Sequence, residues 1–443
     1  MNAAIAGRLL EFGMSEAEAR TRATGFVELD YRLAIPTGVD PLRWFVPGRI
    51  EVLGKHTDYA GGRSLLCTAE RGFCVAAVRR PDSTVRIRDI IRRQNYEFTL
   101  SPQLEIPLHG WRVYAAVVAR RLARNFSGAM CGADIVLASD LPSAAGMSSS
   151  SALVVAIFAV LCAVNHLNER AEYAANIRTP EDLAGYLGCI ENGQTYKSLT
   201  GDGGVGTFGG SEDHTAILTS QPGHLKQYSF CPVRLERVVL LPDDCTFVIA
   251  LSGVVASKTG AARAQYNRAS LAARKILEVW RSTSGSDDLT LAAAITRSPD
   301  SLDRLRTALR HKERAESAWL LDRLEQFHLE SEIVIPQASD ALARHDLTTF
   351  GKLVDDSQAA AEKLLGNQVP ATIRLAQQAR SLGAYAASAF GAGFGGSVWA
   401  LVDRQEASRF ASRWREAYQS SSHHATRDSQ FFITAAAPPM VSL

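Results

Sequence analysis

Apolar positions in residues 46–53 and 64–79 alternate or run together, a pattern that predicts two strands joined by a turn with glycines at its ends. Ahead of them, "MNAAIAGRLLEFGMSEAEAR" acquires charge too early for a secretory signal and reads as one amphipathic helix. "STVRIRDI" and "YEFTL" continue the β-rich region, and residues 110–124 then take helical spacing with a cationic last turn. "GADIVLASDLP" reads as a strand whose terminal loop runs into an apolar helix over 152–166. The apolar run 152–164 is too short to cross a bilayer and predicts a buried helix.

Past a glycine-rich region at 200–218, "RVVLLPDDCTFVIALSG" predicts two strands, and 258–382 is mainly helical by its three- and four-residue spacing. "AYAASAFGAGFGGSVWALVD" returns to glycine turn and strand, followed by a helix and a final short strand. No internal repeat or low-complexity linker interrupts this order. A chain of 443 residues exceeds one ordinary core and predicts two α+β domains, 1–230 and 231–443.

Composition narrows the chemistry. Lys+Arg 48 against Asp+Glu 46 gives a formal net charge of +2, so no strongly basic face is required and neither nucleic acid nor membrane is expected as a partner. The seven cysteines (67, 74, 131, 162, 189, 231, 245) never stand as C-x-x-C, which argues against a disulfide framework or a zinc ribbon and fits a cytoplasmic protein.

Four stretches gather polar residues among glycines. "PGRIEVLGKHTDYAGG" places Arg49, Glu51, Lys55, His56 and Asp58 within ten positions. "LPSAAGMSSSSALVVA" ends a strand at Pro142, turns at Gly146 and opens a long helix with Ser148, Ser149, Ser150 and Ser151 after Met147. Such a helix start binds phosphate through unpaired N–H groups, and serine hydroxyls there can donate to phosphate or ligate Mg²⁺; a serine-rich N-cap is the bland alternative. No lysine follows the glycine, so this is not a Walker A loop. "VGTFGGSEDHTAIL" sets Asp213 in a glycine-lined segment, either as a base or as a turn's cap. "FGAGFGGSVWALV" places Gly391, Gly393 and Gly396 before a strand, the wrong order for a Rossmann fingerprint.

Taken in order, these motifs resemble the GHMP small-molecule kinases, and the galactokinase branch in particular. Residues 47–62 look like that family's P-G-R-(x)4-G-E-H-T-D-Y-x-G-G signature, residues 142–152 like its phosphate loop, and 391–396 like its third motif. "LSGVVASKTGAARAQYNRA" and "FHLESEIVIPQASDALARHDLTTFGKLVDDSQ" are similar to intervening segments, so the resemblance spans about 40 to 402.

The resemblance implies a ribosomal-protein-S5-like amino-terminal domain, an α+β carboxy-terminal domain, and a cleft between them holding ATP and a sugar. It implies ATP-dependent phosphorylation of the anomeric hydroxyl of galactose or a close relative, by a monomer or weak homodimer. In this reading Asp213 takes the proton and Arg49 stabilises charge, with Glu51 as a partner that orients Arg49. ATP is bound by Pro142, Gly146, Met147 and Ser148 to Ser151. Mg²⁺ falls to Ser150, with Ser149 the near alternative, and to Glu191 in "GCIENGQ". His56, Asp58, Gly210 and Tyr266 match positions that contact sugar hydroxyls.

The sequence departs from the family in several places. "TYKSLTGDGG" looks like an insertion between Glu191 and the base, Gln358 replaces a histidine, and "VPATIRL" replaces an acidic segment. Lys55 stands where the family has a glutamate, exchanging an acceptor for a donor. Three readings stay open for it: it faces the carboxylate of a uronic acid such as galacturonate, it turns to solvent or pairs with Glu212, or it donates to a hydroxyl. Kinases for arabinose or an amino sugar, or a catalytically silent sugar and ATP sensor, are the alternatives.

Overall fold

The computed structural model describes residues 2–33, 35, 38–142, 145–254, 261–420 and 428–443, with side chains in the helix from Ala261 described from 264 onward. Part of the phosphate loop (143 and 144) and part of "LSGVVASKTGAARAQYNRA" (255–260) therefore lie outside the described residues.

Among the described residues twelve strands make two sheets: β1 Leu42–Leu53, β2 Arg63–Arg79, β3 Thr84–Asp89, β4 Gln94–Thr99, β5 Ala133–Ser139, β6 His224–Ser229, β7 Arg234–Leu240, β8 Cys245–Leu251, β9 Ala386–Phe390, β10 Ser397–Asp403, β11 Gln430–Thr434 and β12 Val441–Ser442. The first sheet runs β12-β1-β2-β5-β3-β4, and β6 with β7 joins it along the first residues of β2. The second runs β11-β8-β10-β9.

Alternation explains why β1 and β2 lie at the centre of the first sheet. Trp44, Val46, Ile50 and Val52 pack into the core built on the helix Ser149–Val164. Phe45, on the other face, packs with Phe26 and Leu29 of the helix Glu16–Leu33. Both faces are thus covered, and the helix Ser149–Val164, apolar after its three opening serines, is buried along most of its length as that composition requires. A separate helical layer, with Trp280, Leu305, Leu320 and Phe327 in its core, covers the turn after β1 and buries Ala60 of that turn.

One expectation is corrected here. The amino-terminal helix is two helices, Asn2–Glu11 and Glu16–Leu33, because Gly13 takes φ +88°, outside the right-handed helical range. The division at 230/231 falls inside the β6–β7 hairpin, and β12 returns to pair with β1 (Trp44 opposite Ser442). Backbone hydrogen bonding thus carries the first sheet to Leu240 and takes back the end of the chain. Among the described residues no helix is long and apolar enough to cross a membrane.

Candidate active site

The loop after β1 is held in place from far along the chain. Glu330 Oε1 accepts from the backbone N–H groups of Gly54 (2.8 Å) and Lys55 (3.3 Å). Gln326 donates to the Lys55 carbonyl at 3.2 Å, and Arg323 donates to that of His56. These three residues share one face of the helix Arg314–His328 and its π-helical continuation Leu329–Val334. The arrangement tolerates a left-handed His56 (φ +59°), whose ring contacts the Tyr59 hydroxyl at 3.0 Å and the Ala392 carbonyl at 3.1 Å. The first and third motifs therefore meet at His56.

Arg49, on β1, is the centre of the site. Its Nε donates to Asp213 Oδ1 at 2.6 Å, and its Nη2 stands 3.2 Å from Glu51 Oε2 and 3.4 Å from Glu212 Oε1. Burial opposes the cation, but the carboxylates of Asp213, Glu51 and Glu212 outweigh it and hold its pKa above the ordinary value. Asp213 and Glu212 sit in the first turn of the helix Glu212–Thr219. Asp213 Oδ2 in turn accepts from Ser151 at 3.1 Å, and Ser151 reaches Glu191 Oε2 at 2.9 Å. His214 Nε2 stands 3.3 Å from the same Glu191 oxygen.

Two cavities meet at this line of residues. The first, polar and narrow, is lined by His56, Asp58, Gly210 and Tyr266 among others, so the four residues matched to sugar contacts come together. Asp58 Oδ2 accepts from the Glu212 backbone N–H at 3.1 Å. Burial raises the Asp58 carboxyl above its usual range, against the N–H groups of Glu212 and Tyr59. A side chain at Gly210 would strike that carboxylate at 2.4 Å, so the close approach requires glycine.

The second cavity, about 470 Å³, is lined by Gly146, Ser148, Ser149 and Ser150 together with Trp111 and Tyr114. Gly146 packs backbone to backbone on the third motif, where a Cβ would meet the Phe390 carbonyl at 2.6 Å. The Ser148 hydroxyl is buried there without a hydrogen-bond partner, at the start of the helix Ser149–Val164. Arg49 and Asp213 line both cavities.

Three groups of expected site residues take contacts of their own. Ser151, not Ser150, meets Glu191: one residue is about 100° of helix, so Ser150 faces the larger cavity while Ser151 faces Asp213. Pro142 and Met147 do not line the larger cavity; the Met147 side chain is core, and its carbonyl accepts from the Arg49 N–H at 3.3 Å. Lys55 faces neither cavity nor solvent nor Glu212. It is 1% exposed, and its Nζ donates to Ser388 (2.8 Å) and Ser357 (3.1 Å), beside Gln358, which accepts from Ser388. The hydroxyls it reaches are the protein's own, an arrangement that none of its three readings describes.

The family resemblance places an adenine site within residues 80–140 but singles out neither Trp111, just ahead of the helix Arg112–Asn125, nor Tyr114 on it, both of which line the larger cavity. Sequence reasoning missed Glu330, Gln326 and Arg323, whose helical spacing was visible but whose target was not. The "TYKSLTGDGG" segment is ordered: Tyr196 Oη donates to Asp182 at 2.8 Å, and Arg120 pairs with Asp202 at 2.7 Å.

Comparison with known proteins agrees with this arrangement. The galactokinase galactose-binding signature matches residues 37–79, the GHMP kinases N terminal domain 113–187, and the GHMP kinases C terminal 338–420. The chain is 29% identical over 378 residues to the galactokinase of Roseiflexus sp. (strain RS-1), covering 84% of this chain and 86% of that protein. It is 26% identical over 377 residues to the galactokinase of Chloroflexus aggregans, covering 83% and 85%.

Among solved structures, Lactococcus lactis galactokinase complexed with galactose superposes with a TM-score of 0.77 at 20% identity, covering 95% of this chain and 99% of that one. Methanococcus jannaschii mevalonate kinase gives 0.56 at 13% identity, covering 90% and 99%. These likenesses establish the fold. With both domains and the signature matched in order around the cavities described, the chain carries the N- and C-terminal domains of the GHMP kinases and resembles the galactokinases among them.

Proposed function

We propose that this protein is an ATP- and Mg²⁺-dependent sugar kinase that phosphorylates the anomeric hydroxyl of galactose or a closely related neutral sugar. One observation carries the reading: Arg49 and Asp213, hydrogen bonded at 2.6 Å, line both the small polar cavity and the larger serine-lined one. A hydroxyl in the first cavity and a terminal phosphate in the second would meet at this pair. Asp213 takes the hydroxyl proton on a carboxylate oxygen, while Arg49 neutralises charge on the phosphoryl group in flight. The Roseiflexus and Chloroflexus relatives named galactokinase, and the galactose complex of the Lactococcus enzyme, support galactose as the first sugar to test.

The nucleotide reading rests on the helix start at Ser149 and on the unpartnered Ser148 hydroxyl, which suit phosphate oxygens. Trp111 and Tyr114 give the cavity an aromatic wall for a base. The Ser151 hydroxyl and Glu191 carboxylate, 2.9 Å apart, fit Mg²⁺, which takes oxygen ligands and keeps waters and substrate phosphates in its shell. Among the described residues no group of three or more His, Cys, Asp or Glu residues suits a metal, which agrees with an ion completed by phosphate. Such an ion would neutralise phosphate charge.

The small cavity favours a neutral acceptor. Its charged lining is Arg49 with the carboxyls Glu51, Asp58, Glu191, Glu212 and Asp213, while Lys55 is turned away, so the lining accepts hydroxyl protons and repels a uronate. An ADP-release screen over aldoses, uronic acids and N-acetylhexosamines, with Asp213→Asn alongside, tests the proposal. ADP release with a neutral aldose that Asp213→Asn abolishes is expected; wild type releasing no more ADP than the variant on any sugar overturns it.

A further inference from the structure

Two carboxyls of the small cavity have no part in the transfer just described. Glu51 comes from β1 and Glu212 from the helix Glu212–Thr219, and they are 3% and 4% exposed. Both approach the same guanidinium nitrogen, Arg49 Nη2, at 3.2 and 3.4 Å, and they lie within hydrogen-bonding reach of each other. Two ionised carboxylates so placed away from water repel, and neither can donate a hydrogen bond.

The count of donors is short by one. Glu212 Oε2 accepts from Ser64 at 2.6 Å, and Glu51 Oε2 accepts from Arg49. Glu51 Oε1 is buried with no donor. The surrounding charges do not make up the deficit. Arg49 gives its Nε to Asp213, and Lys55, whose charge with that of Arg49 favours an ionised Glu51 against its burial, turns two of its three N–H groups to Ser357 and Ser388. Asp58, Asp213 and Glu330 add further carboxyls around the pair. A proton held between Glu51 and Glu212 supplies the missing donor and removes the repulsion at one stroke.

We infer that Glu51 and Glu212 share a single proton, and that the pair is a positioning device: it holds Arg49 Nη2 so that Nε stays on Asp213. Burial lifts both carboxyls above the usual carboxylate range, Glu212 well above it, which agrees with this arrangement. The inference rests on the reading of Arg49 and Asp213 as the transfer pair. When rising pH removes the shared proton, two adjacent anions compete for Nη2 and Arg49 loses its register on Asp213. Turnover then falls by about tenfold per pH unit on the alkaline side.

Infrared difference spectroscopy and pH profiles test it. Wild type minus Glu212→Gln, with no substrate present, is expected to show a protonated-carboxyl band that shifts in D₂O. The same band is expected in wild type minus Glu51→Gln and is retained in Asp213→Asn. The alkaline limb of kcat is expected to vanish in Glu212→Gln, because an amide donates to Glu51 at every pH. No protonated-carboxyl band in either difference spectrum, or an alkaline limb that survives in Glu212→Gln, overturns the inference. Because the band is read without turnover, a wild type that phosphorylates no sugar sinks the proposed function, whereas a missing band sinks only the shared proton.

Discussion

Arg49 Nε and Asp213 Oδ1 stand 2.6 Å apart although 164 positions separate them in sequence. The same guanidinium reaches Glu51, Glu212 and the Gly146 carbonyl, so a planar fork of donors is used in nearly every direction. Arg49→Lys keeps the charge and loses the fork. Its kcat is expected to fall by roughly 10²–10³, the usual cost of removing one transition-state donor, with little change in the sugar KM. Steady-state ADP release measures both, and a rise in KM at constant kcat would contradict the role given to Arg49.

Ser151 and Ser150 should separate cleanly. Ser151→Ala removes the hydroxyl between Glu191 and Asp213, so the Mg²⁺ concentration for half-maximal activity is expected to rise roughly ten- to a hundredfold. Ser150→Ala touches only the larger cavity and should raise the ATP KM with the Mg²⁺ dependence intact. Equal Mg²⁺ shifts in the two variants would return the metal to Ser150.

Lys55→Met should cost stability, not selectivity. Removing the ammonium leaves the hydroxyls of Ser357 and Ser388 without their donor, at about 1–3 kcal/mol for buried polar groups deprived of partners. Urea unfolding reads the loss, and the acceptor screen should keep its rank order. A changed rank order would mean that Lys55 reaches the sugar after all.

Trp111→Ala addresses the nucleotide side alone. Stacking on a base contributes about 1–3 kcal/mol, so an ATP KM raised roughly 5- to 150-fold with an unaltered sugar KM is expected. An unchanged ATP KM would remove Trp111 from the nucleotide wall.

Stability should depend on pH with a definite sign. Burial raises the carboxyls of Glu51, Asp58 and Glu212 in the folded protein. A raised carboxyl contributes fully below its unfolded pKa, and that contribution is lost as pH climbs through the folded pKa. Wild type should therefore lose stability relative to Glu212→Gln as pH rises above the ordinary carboxylate range, measured by urea titration at a series of pH values. A difference independent of pH would count against these groups being protonated in the fold.

Much of this arrangement follows from local pattern. Alternation along β1 set Arg49 and Glu51 on one side, and their side chains do meet at 3.2 Å. The order of the glycine motifs named the family, because each motif needs a short backbone approach that few residues allow: Gly146 against Phe390, Gly210 against Asp58. Where a local pattern has a phase, however, the phase came from outside it. Helix Ser149–Val164 is oriented by its packing in the core, and that orientation turns Ser151 toward Glu191 and Ser150 toward the larger cavity.

The sequence by itself therefore determined the two strands and the order of the glycine motifs, which depend on periodicity and short spacing, and through the family resemblance it pointed to Arg49 and Asp213 as the proposed transfer pair. Only the tertiary structure decided what surrounds them. Lys55 is buried because Glu330 and Gln326, more than 270 positions away, fix its backbone and two serines receive its ammonium. Trp111 reaches the serine-lined cavity through packing that no spacing announces. Glu51 and Glu212 become a pair only when β1 and the helix Glu212–Thr219, far along the chain, close on one guanidinium. Burial and charge are properties of that closed assembly, because the cost of a carboxylate depends on which water and which cations remain beside it.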